Sequence, residues 1–143
     1  MSLYADFKTS EKLEVDGVRF LNGGFAYTLG RSGGANKKFA KLFERLARPH
    51  RRQLENGSLD NTVAERLMRD VFAKTVVLRW ETRNEEGEWV DGIELEDGSV
   101  VPATPEILVR VFEDLPDLFA QIVEDAKSTT YFRQAGMDDD VGN

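Results

Sequence analysis

The chain has 143 residues, 41% of them hydrophobic and 31% charged, which is the range of a single globular domain and far from that of a disordered chain. It contains no cysteine, so no disulfide framework, thiolate nucleophile or thiolate metal ligand is available. The formal net charge of −7 argues against a general nucleic-acid binder.

Residues Met1 to Lys12 are polar and mixed in charge, without the apolar stretch of a signal peptide. They are expected to form a flexible end. Leu13 and Val15 then flank Glu14, and Asp16-Gly17 is a hairpin-turn signal. Val18 and Phe20 alternate with Arg19, and Asn22-Gly23-Gly24 marks a second turn. Phe25, Tyr27 and Leu29 alternate with Ala26 and Thr28. The pattern predicts a three-stranded N-terminal meander, closed by a flexible loop at Gly30-Arg31-Ser32-Gly33-Gly34.

A first helix is predicted from Ala35 to Ala47, because Phe39, Leu42, Phe43 and Leu46 recur at i, i+3, i+4 and i+7. Lys37, Lys38, Lys41 and Arg45 cover much of its other side, and Pro49 ends it. A short segment, His50 to Glu55, stops at Asn56-Gly57. A second helix starts at Asp60 or Asn61, with Val63, Leu67 and Val71 on its apolar face. The cluster Thr75-Val76-Val77 lowers helix propensity, leaving either a helix that persists to about Arg79 or a strand. Spacing favours the helix. Trp80 to Val101 reads as irregular, with short strands at most, through Glu86-Gly87, Asp91-Gly92 and Asp97-Gly98. Thr104-Pro105 and Asp114-Leu115-Pro116 are the start signals of two further helices. Asp138-Asp139-Asp140 reads as a disordered tail, and residues 134–143 as a flexible end. Apolar runs such as Val76-Val77-Leu78 fall far short of the roughly 20 residues that span a bilayer, so no membrane contact is expected. The fold class expected is therefore α+β but mainly α-helical: an N-terminal β-meander followed by about four helices, in one compact domain covering residues 1–143.

Little in the sequence can carry chemistry. The one histidine, His50, stands among Pro49, Arg51 and Arg52 with no cysteine or second histidine to share a metal. Gly30 to Lys38 has glycines before a basic helix, but its spacing is not that of a phosphate-binding P-loop. The carboxylates from Glu85 to Asp97 do not match the spacing of a calcium loop. No enzyme activity and no cofactor or metal is expected.

Charge is strongly segregated. Arg31 to Arg52 holds eight basic residues against Glu44 alone, whereas Glu81 to Asp125 is acidic with only Arg83 and Arg110 opposing. The bland reading is two solvated faces. The sharper one is a homo-oligomer, in which the basic face Lys37, Lys38, Lys41 and Arg45 of one copy meets the acidic half of the next. Phe112, Leu115, Leu118, Phe119 and Ile122 form a candidate apolar partner site at the corner between the last two helices, unless all are core. Residue by residue, the reading ends at a small α+β interaction module.

Several strings in order resemble the tail assembly chaperones of long-tailed bacteriophages. They are Arg31-Ser32-Gly33-Gly34-Ala35-Asn36-Lys37-Lys38-Phe39, Pro49-His50-Arg51-Arg52, the helix Ala64 to Ala73, and Val76-Val77-Leu78-Arg79-Trp80-Glu81. Thr104-Pro105-Glu106, Leu115-Pro116-Asp117-Leu118-Phe119 and Phe132 complete the set. The stretch Gly92 to Val100 departs from that pattern, which has a shorter turn there. The resemblance implies a host-cytoplasmic protein that binds the tape measure protein, keeps it soluble and promotes tail-tube polymerisation. It also implies contact with the tail tube protein through a frameshifted longer form, and absence from the mature virion. A structural virion protein, such as a neck or tail-completion subunit, and a small nucleic-acid-binding regulator remain the alternatives.

Overall fold

In the computed structural model, which describes residues 2–133 and the backbone of residues 140–142, the segment that reads as a first strand is a helix. Two short helices, α1 (Leu3–Phe7) and α2 (Glu11–Asp16), open the chain. Ser10 caps α2, its hydroxyl oxygen accepting from the Leu13 N–H at 3.2 Å. Glu11 and Glu14 stand in the first turn, where the helix dipole favours acids. Asp16-Gly17 ends this helix rather than turning a hairpin. Gly17 takes φ +96° and returns its N–H to the Leu13 carbonyl.

The large sheet has five strands, ordered in space Trp89–Asp91, Val77–Arg83, Phe25–Leu29, Val18–Leu21 and Asp140–Gly142. β1 (Val18–Leu21) and β2 (Phe25–Leu29) form an antiparallel hairpin. The next antiparallel neighbour of β2 is β3 (Val77–Arg83), which arrives after three helices. β4 (Trp89–Asp91) pairs antiparallel with β3, and β7 (Asp140–Gly142) pairs parallel with β1. The expected N-terminal meander followed by about four helices is therefore wrong. Helices precede, interrupt and follow the strands of a central sheet. The flexible ends expected at 1–12 and 134–143 hold α1 and the first two residues of α2 in one case and β7 in the other, while residues 1, 134–139 and 143 lie outside the described residues.

Between β2 and β3 run α3 (Lys37–Ala47), a 3-10 turn (Arg48–His50), α4 (Arg51–Glu55) and α5 (Asn61–Thr75). The helix expected to persist to Arg79 stops at Thr75, and Val77 begins β3 instead. β-Branched side chains are stiff in a helix and fit a pleated surface, and here Tyr27 faces Trp80 and Leu29 faces Val77 across the ladder. After β4 come a two-stranded ribbon, β5 (Ile93–Glu94) with β6 (Val100–Val101), then α6 (Pro105–Asp114), α7 (Pro116–Lys127) and a 3-10 turn (Thr129–Phe132).

One face of the sheet supplies Val18, Phe20, Tyr27, Leu29 and Trp80 to a core shared with Phe72 and Val76 of the α5 segment, Leu108 and Phe112 of α6, and Ile122 and Ala126 of α7. The phenol of Tyr27 donates to the buried Asp125 carboxylate at 2.6 Å and accepts from Gln121 at 2.7 Å, which fixes α7 against β2. The other face is polar. Arg19 donates to Glu81 at 2.8 Å, Arg79 donates to Asp91 at 2.8 Å, and the Arg19 guanidinium lies 4.8 Å from the Trp89 ring centre.

Candidate protein-binding surfaces

The corner between α6 and α7 is set by its start signals. Thr104 accepts from the Ile107 N–H, and Pro105 and Pro116 occupy first-turn positions where a missing N–H costs nothing. The five corner residues separate into two groups. Phe112 and Ile122 are buried in the core, and Phe119 is half-buried between Phe72 and Phe112, with ring centres 5.5 and 4.9 Å away. Leu115 is 52% exposed, and with half-buried Leu118 it edges an open cleft of about 270 Å³. Phe25, Trp80, Thr82, Ile93 and Val111 line the rest of that cleft. A second depression of about 400 Å³ shares Glu94, Val111 and Leu115 with it and adds Leu95, Glu96, Arg110 and Asp114. The joint surface is an apolar trough with a mainly acidic rim.

Lys37, Lys38, Lys41 and Arg45 all lie exposed on α3. Its apolar stripe turns inward, with Phe39 edge-on to Phe72 at 5.9 Å. Where α3 passes through the 3-10 turn into α4, a groove of about 240 Å³ is walled by Phe43, Ala47 and Leu54 and rimmed by Arg48, Arg51, Glu44 and Glu55. His50 lies in that turn.

The glycine loop at 30–36 is not a free cradle. Glu14 reaches into it from α2, accepting from the Arg31 guanidinium and, at 3.1 Å, from the Ala35 N–H. Burial pushes the Glu14 carboxyl up, but Arg31, the Ala35 N–H and Thr9 outweigh that and hold it below the usual glutamate range. Gly34 has φ +53°, and a Cβ there would overlap the Glu14 carboxylate. Asn36 is buried and donates to the Arg31 carbonyl at 2.8 Å and the Thr75 carbonyl at 3.0 Å. An internal carboxylate thus fills the place a phosphate would take. Sequence reasoning missed this lock because Glu14 reads as the outward residue of a strand. The Ser10 cap with Glu11 was the one signal that could have found the helix. Among the described residues, no three His, Cys, Asp or Glu side chains are gathered as a metal site. In the acidic stretch, Asp97 accepts from Ser99 and Asp91 from Arg79.

The fold and these surfaces define a small α+β domain with an acid-rimmed apolar trough at one corner and, at another, a groove rimmed by two arginines and two glutamates. The chain belongs to the YdaY prophage protein family, whose model matches residues 34–143, from within the glycine loop onward and so without Phe25 of the trough. It is a phage-derived protein. No curated protein and no solved structure matches it.

Proposed function

We propose that this prophage protein is a non-catalytic tail assembly chaperone, which holds an apolar helical stretch of the tape measure protein in the α6–α7 trough. The observation that carries the reading is the apolar lining of Phe25, Trp80, Ile93, Val111 and half-buried Leu118, edged by exposed Leu115. The cleft is open to solvent and runs into the second depression, which suits side chains of an amphipathic helix. The acidic rim selects a helix with basic flanks. In this role the protein works in the host cytoplasm, hands the tape measure protein to tail tube subunits and leaves before the virion is complete. A longer frameshifted form would bring the tube protein.

The test is co-expression with the tape measure protein of the same prophage. The wild-type chain is expected to keep it soluble, and Leu115→Ser and Leu118→Ser to lose that effect while Leu115→Ser keeps the wild-type melting temperature. Detection of the chain in purified particles would instead assign it to the virion. A tape measure protein that precipitates equally with and without it would refute the chaperone reading.

A further inference from the structure

We propose that copies of this chain associate head to tail, the α6–α7 corner of one seated in the α3–α4 groove of the next. The contact stands whether or not the tape measure protein is the partner. On one side, Leu115 is an exposed apolar knob, 52% accessible, flanked by exposed Glu113, Asp114 and Asp117. On the other, Phe43, Ala47 and Leu54 wall a groove of about 240 Å³ with Arg48 and Arg51 at its mouth. Leu54 is itself 41% exposed. An apolar centre inside a charged rim is the anatomy of a protein–protein interface, and the acidic knob meets a groove whose surroundings, Arg45, Arg48, Arg51 and Arg52 against Glu44 and Glu55, are net positive.

Neither rim is satisfied by the described residues. Among the described residues, Arg51, Arg52, Glu113, Asp114 and Asp117 have no ion-pair partner, and Arg48 meets Glu44 only at 3.9 Å, with both side chains mostly exposed. Glu44 and Glu55 share the groove, so its positive potential comes from Arg48 and Arg51 reinforced by Arg45 and Arg52. Seating Leu115 between Phe43 and Leu54 brings Asp114 and Asp117 to the two arginines. Knob and groove occupy different surfaces, so each copy offers both and the contact is heterologous: it propagates as a ring or a filament rather than closing as a two-fold dimer. The floor of the trough at Phe25, Trp80 and Ile93 takes no part in it and stays available to a partner helix.

Light scattering of the purified full chain over a concentration series, at low and high salt, reads this directly. The expected result is a mass that climbs with concentration at low salt and falls back as salt screens the rims. Arg48→Glu with Arg51→Glu, and separately Asp114→Arg with Asp117→Arg, should each weaken association by roughly tenfold or more. Mixing the two variants in equal amounts should restore it, because every knob then meets a groove of opposite sign. Leu115→Ser should abolish association at unchanged melting temperature. A wild-type mass that stays monomeric, charge variants that associate like wild type, or a mixture that stays dissociated would each overturn the contact.

Discussion

Glu14 and Asp125 are buried carboxylates that pull stability in opposite directions with pH. Glu14 is held below the usual glutamate range, so the unfolded chain binds the proton more tightly there. The stability Glu14 contributes is present above the unfolded value and is lost as pH falls through the folded one. Burial, with Glu124 adding to it, pushes Asp125 up against the lowering effect of the Tyr27 hydroxyl. Between the ordinary aspartate value and that raised one, the folded state holds the extra proton, so stability falls as pH rises. Glu14→Gln weakens a charge-assisted bond to Arg31 and should cost about 1.5–3 kcal/mol at neutral pH. Melting curves from neutral to acid pH should show the gap between this variant and wild type narrowing as pH drops. A gap independent of pH would remove Glu14 from its assigned role. Tyr27→Phe leaves the Asp125 carboxylate without its phenol donor and should cost about 1–3 kcal/mol, measured by chemical denaturation. Neither carboxylate is legible in the sequence. Glu14 lies 17 positions from Arg31 and Tyr27 lies 98 from Asp125, and no local pattern announces a pairing that only the fold creates.

Elements were legible where a local rule acted alone. Thr104-Pro105 and Pro116 start α6 and α7 where expected, and the Phe39 to Leu46 stripe gives α3. They were misread where two local rules competed. Leu13-Glu14-Val15 fits a strand by alternation and a helix by its serine cap and acidic first turn, and burial of Glu14 against Arg31 decided for the helix. Val76-Val77 fits either end of α5 or a strand, and the open edge of β2 decided for the strand. The corner residues divide in the same way. Phe112 and Ile122 extend the core, whereas Leu115, one position before the next proline, falls between the two helices and stays outside it. Ile122→Ala should therefore cost about 2–5 kcal/mol, and Leu115→Ala less than about 0.5 kcal/mol, in thermal unfolding. Comparable losses for the two would place Leu115 in the core and remove the exposed knob. Gly17→Ala tests the end of α2. Gly17 has φ +96° and its Cβ would lie 2.7 Å from Thr28 Cγ2, so a loss of about 1–3 kcal/mol is expected.

At the scale of the whole molecule, charge segregation in the sequence becomes two distinct surfaces in space. The basic stretch is the exposed side of α3 and α4, and Glu94, Glu96 and Asp114 of the acidic half rim the α6–α7 trough. The self-contact joins the two surfaces through Leu115 at the edge of the trough, and leaves the trough floor at Phe25, Trp80 and Ile93 to an amphipathic partner. Hydrogen–deuterium exchange on the chain bound to a helical fragment of the prophage tape measure protein tests this account most directly. Slowed exchange should appear in β5 and the α6–α7 corner, around residues 93–96 and 111–118, with the outer face of α3 unchanged by the fragment. Protection confined to α3 and α4, or no complex at all, would contradict it.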